Sequence, residues 1–231
     1  MKKSPEEHAA RFDEKASAYD ESKSDEYRAC ANLVIEHAAP DAEDVVLDLG
    51  TGTGAIALAL APDAERVVGR DISEGMMDEA RAKAEDEGLE NVEFDRGTFR
   101  EPEYDGPVDA ETSETSRAHT RSPRVDIVTS NFAMHHLSDE EKREAIDVIA
   151  DLEPRKFVLG DVMFFGEPVP EAPFYSPDVD DPATVGTLAD AFTSAGFSLT
   201  AVERVHDQVG VLVAERSPVA EAEAPDADSG E

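Results

Sequence analysis

The sequence predicts an α/β fold: a doubly wound, seven-stranded, mostly parallel sheet with a C-terminal antiparallel hairpin and helices on both faces. Three observations carry this prediction. From residue 45 onward, short apolar runs alternate with helical patterns, the mark of repeated β-then-α units. Two runs, Val45–Leu49 and Val125–Thr129, are near-continuous Val, Ile and Leu, as expected for parallel strands covered on both faces. The last two, Ser198–Val205 and Val209–Ala214, leave room only for a tight turn at Asp207 and Gln208, so they should pair antiparallel.

Taken in order, the first 40 residues read as a helical segment, a lid ahead of the main domain at 41–216. Phe12, Ala16 and Tyr19 share one face at spacings of three and four, and Leu33 and Val34 belong to a second helix ending before Pro40. The remaining strand runs are Arg66–Gly69, Val92–Phe94 and Phe157–Leu159. "SDEE" from Ser138 is a capping box with Glu141. Asp181 followed by Pro182 predicts another helix start, and Gly88 and Gly196 stand where helices end. Residues 103–124 nearly lack large apolar groups and read as a mobile insertion, and the acidic segment 217–231 as a disordered tail.

The composition excludes several classes. No apolar run is long enough to cross a bilayer, and the two lysines near the start precede no apolar stretch, so no membrane insertion or secretory signal is expected and the cytoplasm is the default. One cysteine, Cys30, permits no internal disulfide. The charge is the outlier: 54 acidic residues against 21 basic ones give a net charge of −33, spread along the whole chain. Repulsion on this scale opposes folding in dilute buffer and is screened in molar salt, where the Debye length is about 3 Å. In this the chain resembles proteins of halophilic archaea. A salt-adapted acidic surface does not exclude a nucleic-acid substrate, and the oligomeric state is not legible.

The chemistry centres on "VVLDLGTGTGA", residues 45–55. Gly50, Gly52 and Gly54 join the first strand to a helix, at the place where doubly wound sheets bind ligands. The second strand ends at Asp71, 21 residues after Gly50, where an acid can accept both hydroxyls of a ribose. Two cofactor classes use such a pair. Gly50, Gly52 and Ala55 satisfy the pattern of a nicotinamide dinucleotide site, which would make the protein an NAD(P)-dependent oxidoreductase. Against that, Asp48 puts a carboxylate just ahead of the loop, where a pyrophosphate would be repelled, and no Tyr-x-x-x-Lys pair occurs.

Three segments, "VLDLGTGTGAIALAL", "VVGRDISEGMMDEARAKAEDEGLENVEFDRG" and "VDIVTSNFAMHHLSDEEK", resemble the successive motifs of class I S-adenosylmethionine-dependent methyltransferases, a Rossmann-like family. They are most similar to the small-molecule branch that includes the ubiquinone/menaquinone-biosynthesis type. The resemblance runs from about Phe12 to Arg216 without the insertion. It implies S-adenosylmethionine as cofactor and methyl transfer to a small-molecule acceptor by in-line displacement. It also implies that Asp48, Gly50, Thr51 and Gly52 line the methionine part. Asp71 would bind the ribose, and Ile72 would pack on adenine. Thr98 and Phe99 follow Gly97 where the family has Gly-Asp at the adenine amino group. Asn131 and Phe132 would lie beside the reacting centre, and Tyr19 matches an aromatic that closes over the cofactor in related enzymes. A non-catalytic cofactor-binding protein is the remaining alternative.

A base is needed only if the acceptor must first lose a proton. His135 and His136, after the fourth strand, and Asp161, at the end of "RKFVLGD", are the candidates. The clusters "MFF" (163–165) and "FY" (174–175) could wall an apolar acceptor. The Asn/Asp-Pro-Pro-aromatic signature of methylation at exocyclic amines is absent, with Ser130-Asn131-Phe132-Ala133 in its place. The six histidines show no ligand spacing, and no metal is expected.

Overall fold

A computed structural model describes residues 5–104, 124–167 and 173–216. The helices α1 (Pro5–Asp13) and α2 (Asp25–Ala38) come first. Then follow β1 (Val45–Leu49), α3 (Ala55–Leu60), β2 (Arg66–Asp71), α4 (Glu74–Glu87), β3 (Val92–Arg96) and β4 (Ile127–Asn131). The chain closes with α5 (Asp139–Asp151), β5 (Lys156–Phe164), β6 (Ala183–Thr184), α6 (Val185–Ser194), β7 (Ser198–His206) and β8 (Val209–Glu215).

The main path of the sheet runs β3-β2-β1-β4-β5-β8-β7. Strands β1 to β5 pair in parallel, and β8 runs antiparallel between β5 and β7. All seven expected strands are present. The two-residue β6 is an addition, paired with β5. Strand order reverses between β1 and β4, so the crevice at their carboxyl ends is the place where such sheets bind ligands.

Alternation along the strands divides the core. Leu47, Val68, Val128 and Leu159 face α5 and α6, packing with Ile146, Ile149 and Phe192. Val46, Val67, Ile127 and Val158 face α2, α3 and α4, packing with Val34, Ile56 and Met77. Every residue of β1 is buried, which explains its unbroken apolar reading. Edge strand β7 is mostly exposed, and its two register irregularities and charged Glu203 and Arg204 blunt it against pairing.

The capping box forms as expected, with Ser138 and Glu141 each accepting from the other's backbone N–H. The start expected at Asp181-Pro182 does not form. Helix α6 begins after Thr184, whose side chain accepts from the Thr187 N–H. Residues 183–184 have been drawn into the sheet, and the Asp181 N–H donates instead to the His135 carbonyl at 2.7 Å. Of the expected insertion, 105–123 lie outside the described residues, as does the tail 217–231. The boundary at 103 is corrected: Tyr104 is core, and its hydroxyl donates to the Arg124 carbonyl at 2.7 Å, pinning the two flanks together.

Candidate active site

A cleft of about 570 Å³ opens at the carboxyl ends of β1, β2, β3 and β4. The glycine loop forms its floor. Gly50 and Gly52 have positive φ angles of 69° and 53°. Their reasons differ. A Cβ on Gly50 would lie 2.3 Å from the Ala133 Cβ, so Gly50 is needed for packing. A Cβ on Gly52 would meet nothing within 4 Å, and this residue lines the cleft. Gly52 therefore keeps a face of the loop clear.

The loop's own donors are already engaged. The Gly50 and Thr51 N–H groups donate to the Arg70 carbonyl at 2.8 and 3.1 Å, and Gly54 to the Thr51 carbonyl at 2.9 Å. The Gly52 N–H donates to Asp71 Oδ2 at 2.8 Å, while Asp71 Oδ1 accepts from Ser73 N–H at 2.9 Å. Asp71 thus shapes the loop and also lines the cleft. Burial pushes its carboxyl above the usual range, against the pull of those N–H groups.

Of the other residues expected at the cofactor, Tyr19, Thr51, Ile72, Thr98, Phe99 and Asn131 line the cleft. The Thr98 hydroxyl accepts from the Glu101 N–H at 2.9 Å. Asp48 is not among the lining residues. It sits in β1 beneath the loop, 1 % exposed, with Oδ1 accepting from the Thr129 hydroxyl at 2.8 Å. Burial raises its pKa to about 6, opposed by the Thr51 and Thr129 hydroxyls. Several buried polar atoms here make no hydrogen bond of ordinary geometry: Asp48 Oδ2, the Thr51 hydroxyl and both amide atoms of Asn131. Of these residues Thr51 and Asn131 line the cleft, where a polar ligand can meet them.

The N-terminal segment closes one side. His8, Phe12 and Tyr19 line the cleft from there, joined by Tyr27 of α2 and Phe132 after β4. Asp13 Oδ1 accepts from the Ser73 hydroxyl at 2.6 Å and from the Gly75 N–H at 3.0 Å. Asp20 accepts from the Thr53 hydroxyl at 2.7 Å and pairs with Lys23 and Lys83. Burial works against the Asp20 charge, yet these partners hold its carboxyl well below the usual range. Phe132 has a φ of 56°, unusual for a bulky residue, and such strain gathers at functional sites.

Residues 46–124 match the family described as a methyltransferase domain. Over that segment the chain is similar to a methyltransferase domain. It is 34% identical over 110 residues to an uncharacterized methyltransferase, YcgJ, of Bacillus subtilis, covering 48% of this chain and 37% of that protein. It is 33% identical over 165 residues to an uncharacterized methyltransferase of a Geobacillus species, covering 69% of this chain and 66% of that protein. The chain thus spans less than two thirds of either relative. Among solved structures, the complex of DhpI with SAH superposes with a TM-score of 0.66 at 20% identity, covering 93% of this chain and 98% of that one. That likeness shows the Rossmann-like methyltransferase fold.

Around the cleft the three catalytic candidates separate. His136 lines the cleft; His135 and Asp161 are not among the lining residues. Asp161 is 2 % exposed and accepts from the His135 backbone N–H at 2.8 Å, with its Oδ1 2.5 Å from His135 Nδ1. It holds His135 in place from outside the cleft. His136 Nδ1 lies 2.8 Å from Asp180 Oδ1, and burial, then His135, lower the His136 pKa to about 4.

The expected apolar wall is also elsewhere. Phe164 packs on Tyr175, with ring centroids 5.6 Å apart, and Phe174 packs on His206 and on the Phe132 ring. None of these residues except Phe132 lines the cleft. Sequence reading missed His8, Tyr27 and Asp180. His8 and Phe12 stand four apart on α1, a spacing that puts both on one face and could have signalled the first of them.

Proposed function

We propose that this protein is an S-adenosylmethionine-dependent methyltransferase acting on a small-molecule acceptor. The chemistry of the glycine loop carries the reading. Four of its N–H groups are spent within the protein, and two carboxylates, buried Asp48 and half-buried Asp71, stand against it. That is poor for a pyrophosphate and suited to a ligand with a cationic centre and a ribose. The nicotinamide alternative loses its main attraction for the same reason.

Bound S-adenosylmethionine supplies a methyl group on a sulfonium, with a neutral thioether as the leaving group. The residues fit such a molecule. Asp71 would hold the ribose hydroxyls, and Ile72 and Met76 would flank the adenine. Thr51, Gly52 and Asn131 would surround the methionine part, with Asp48 acting through the field of its buried charge. Phe12, Tyr19, Tyr27 and Phe132 exclude water and align the acceptor, which is most of what an in-line displacement requires. His136, neutral at physiological pH, can accept a hydrogen bond from the acceptor. His135 and Asp161 position that turn without touching substrate.

A volume in the range of small-molecule sites and an aromatic wall support a small acceptor. The absent Pro-Pro signature and the motif order point the same way, toward the branch that includes the quinone-biosynthesis methyltransferases. We further infer from the charge that the protein is built for concentrated salt, in the manner of halophilic cytoplasmic proteins. No described helix is long and apolar enough to cross a membrane.

The test is incubation with methyl-labelled S-adenosylmethionine and a metabolite extract in molar KCl. Label should move to a low-mass product, and calorimetry should detect S-adenosylhomocysteine but not NAD(P). Binding of NAD(P) alone would overturn the reading. The two loop glycines give a second check. Gly50→Ala should lose about 3 kcal/mol of unfolding free energy from the clash with Ala133. Gly52→Ala should cost only about 1–2 kcal/mol, the cost of a left-handed residue, yet weaken S-adenosylhomocysteine about tenfold or more. Urea unfolding and calorimetry separate the two outcomes. Equal stability losses with unchanged binding would remove Gly52 from the site.

A further inference from the structure

We propose that His135, His136 and Asp180 form a binding site for a divalent transition metal, zinc foremost, in the wall of the cleft. The two histidines are adjacent in a 3-10 turn, Met134–His136, and Asp180 lies 44 residues further along the chain. No spacing rule joins them, but the fold does. One donor atom from each of the three lies within 4.8 Å of the others. A zinc ion bonded at about 2.0–2.1 Å holds its donors about 3.3 Å apart, so modest side-chain movement completes the triad.

The orientation of His135 supports this. Its Nδ1 is 2.5 Å from Asp161 Oδ1, and its backbone N–H donates to Asp161 Oδ2 at 2.8 Å. With Nδ1 held by a carboxylate, Nε2 is the free donor. A metal-bound histidine is ordinarily fixed in this way, its other ring nitrogen donating to a carboxylate. His136 Nδ1 and Asp180 Oδ1 are 2.8 Å apart, a hydrogen bond that would have to open by about half an ångström to admit the ion between them. Asp180 is itself anchored, its Oδ2 accepting from the Ser176 N–H at 2.7 Å.

Charge and access agree. The Asp161 and Asp180 carboxylates together balance a dication. Their side chains are 3 % and 6 % exposed, and those of His135 and His136 8 % and 19 %. The nearby Lys142 ammonium is occupied by the Leu137 and Asp181 carbonyls. Two imidazoles and one carboxylate select zinc or a neighbouring first-row ion over magnesium or calcium, which take oxygen ligands. Three protein ligands leave a coordination position open, the pattern of reactive rather than structural zinc sites. Because His136 lines the cleft, that position would face the bound molecule. On the methyl-transfer reading, which this last step alone assumes, the ion would hold an oxygen of the acceptor.

The experiment uses the full untagged chain, stripped with a chelator and dialysed in molar KCl against micromolar Zn²⁺ or Co²⁺. The salt suppresses diffuse binding to the acidic surface. Elemental analysis should find about one ion per chain, and Co²⁺ should give a visible absorption band. His135→Gln and Asp180→Asn should each abolish stoichiometric binding, and Asp161→Asn should weaken it about 10–100-fold. Each variant is first checked for native melting, and His136→Gln replaces any that fails to fold. No stoichiometric ion in the parent chain, or equal uptake by Asp180→Asn, would overturn the site. Neither result bears on S-adenosylhomocysteine binding, so the proposed function stands or falls separately.

Discussion

Asp71→Ala should lose about 100-fold or more in affinity for S-adenosylhomocysteine. Two hydrogen bonds donated by ribose hydroxyls to a carboxylate are each worth about 1.5–3 kcal/mol, and tenfold in affinity is about 1.4 kcal/mol. The substitution also removes the acceptor for the Gly52 and Ser73 N–H groups, so the loop loses its brace. Asp71→Asn separates the two contributions. It keeps an oxygen for the loop but offers the ribose one acceptor and one donor, and should lose about tenfold. Calorimetry in molar KCl reads both, with melting temperature as the control for folding. An alanine variant that binds like the parent would undo the ribose assignment.

The melting temperature should rise by about 10 °C or more between dilute buffer and molar KCl. With 54 acids against 21 bases, most carboxylates have no basic partner available. The ion pairs that do form are largely exposed ones, such as Arg28–Asp25 and Arg81–Glu74, and exposed pairs contribute little. Self-repulsion is therefore the dominant surface effect, and salt relieves it. Calorimetric scans across a KCl series measure this directly. Greatest stability in low salt would instead mark the acidity as a surface for a basic partner.

What was legible in the sequence depended on how local its cause was. Strand β1 could be read because both of its faces are buried, leaving an unbroken apolar run around Asp48. The Ser138 box could be read because its partners lie three residues apart. The start at Asp181-Pro182 obeyed the same local logic and failed, because pairing of 183–184 with β5 outweighed it. Asp48 was expected against the ligand, yet it belongs to the strand and bonds to Thr129 of β4. Sequence adjacency also made His135 and His136 look equivalent. Their partners, Asp161 and Asp180, lie 26 and 44 residues away and give the two rings different tasks. Nor could composition show that Phe164 and Tyr175 pack on each other while Phe12 and Tyr27 wall the cleft.

The two attachments of the N-terminal segment have a kinetic consequence. Asp13 fastens to Ser73 and Gly75, just past the Asp71 loop, and Asp20 fastens to Thr53, inside the glycine loop. The same two loops that would grip the cofactor therefore also grip the cover above it. Whatever orders them favours closure, and closure in turn favours whatever orders them, by the same factor. The order of events follows. On the proposed function, cofactor would enter while the cover is released, its binding would draw the cover down, and the acceptor would then meet a finished wall. On that reading, turnover is expected to run by compulsory order, with departure of the spent cofactor waiting on two aspartates.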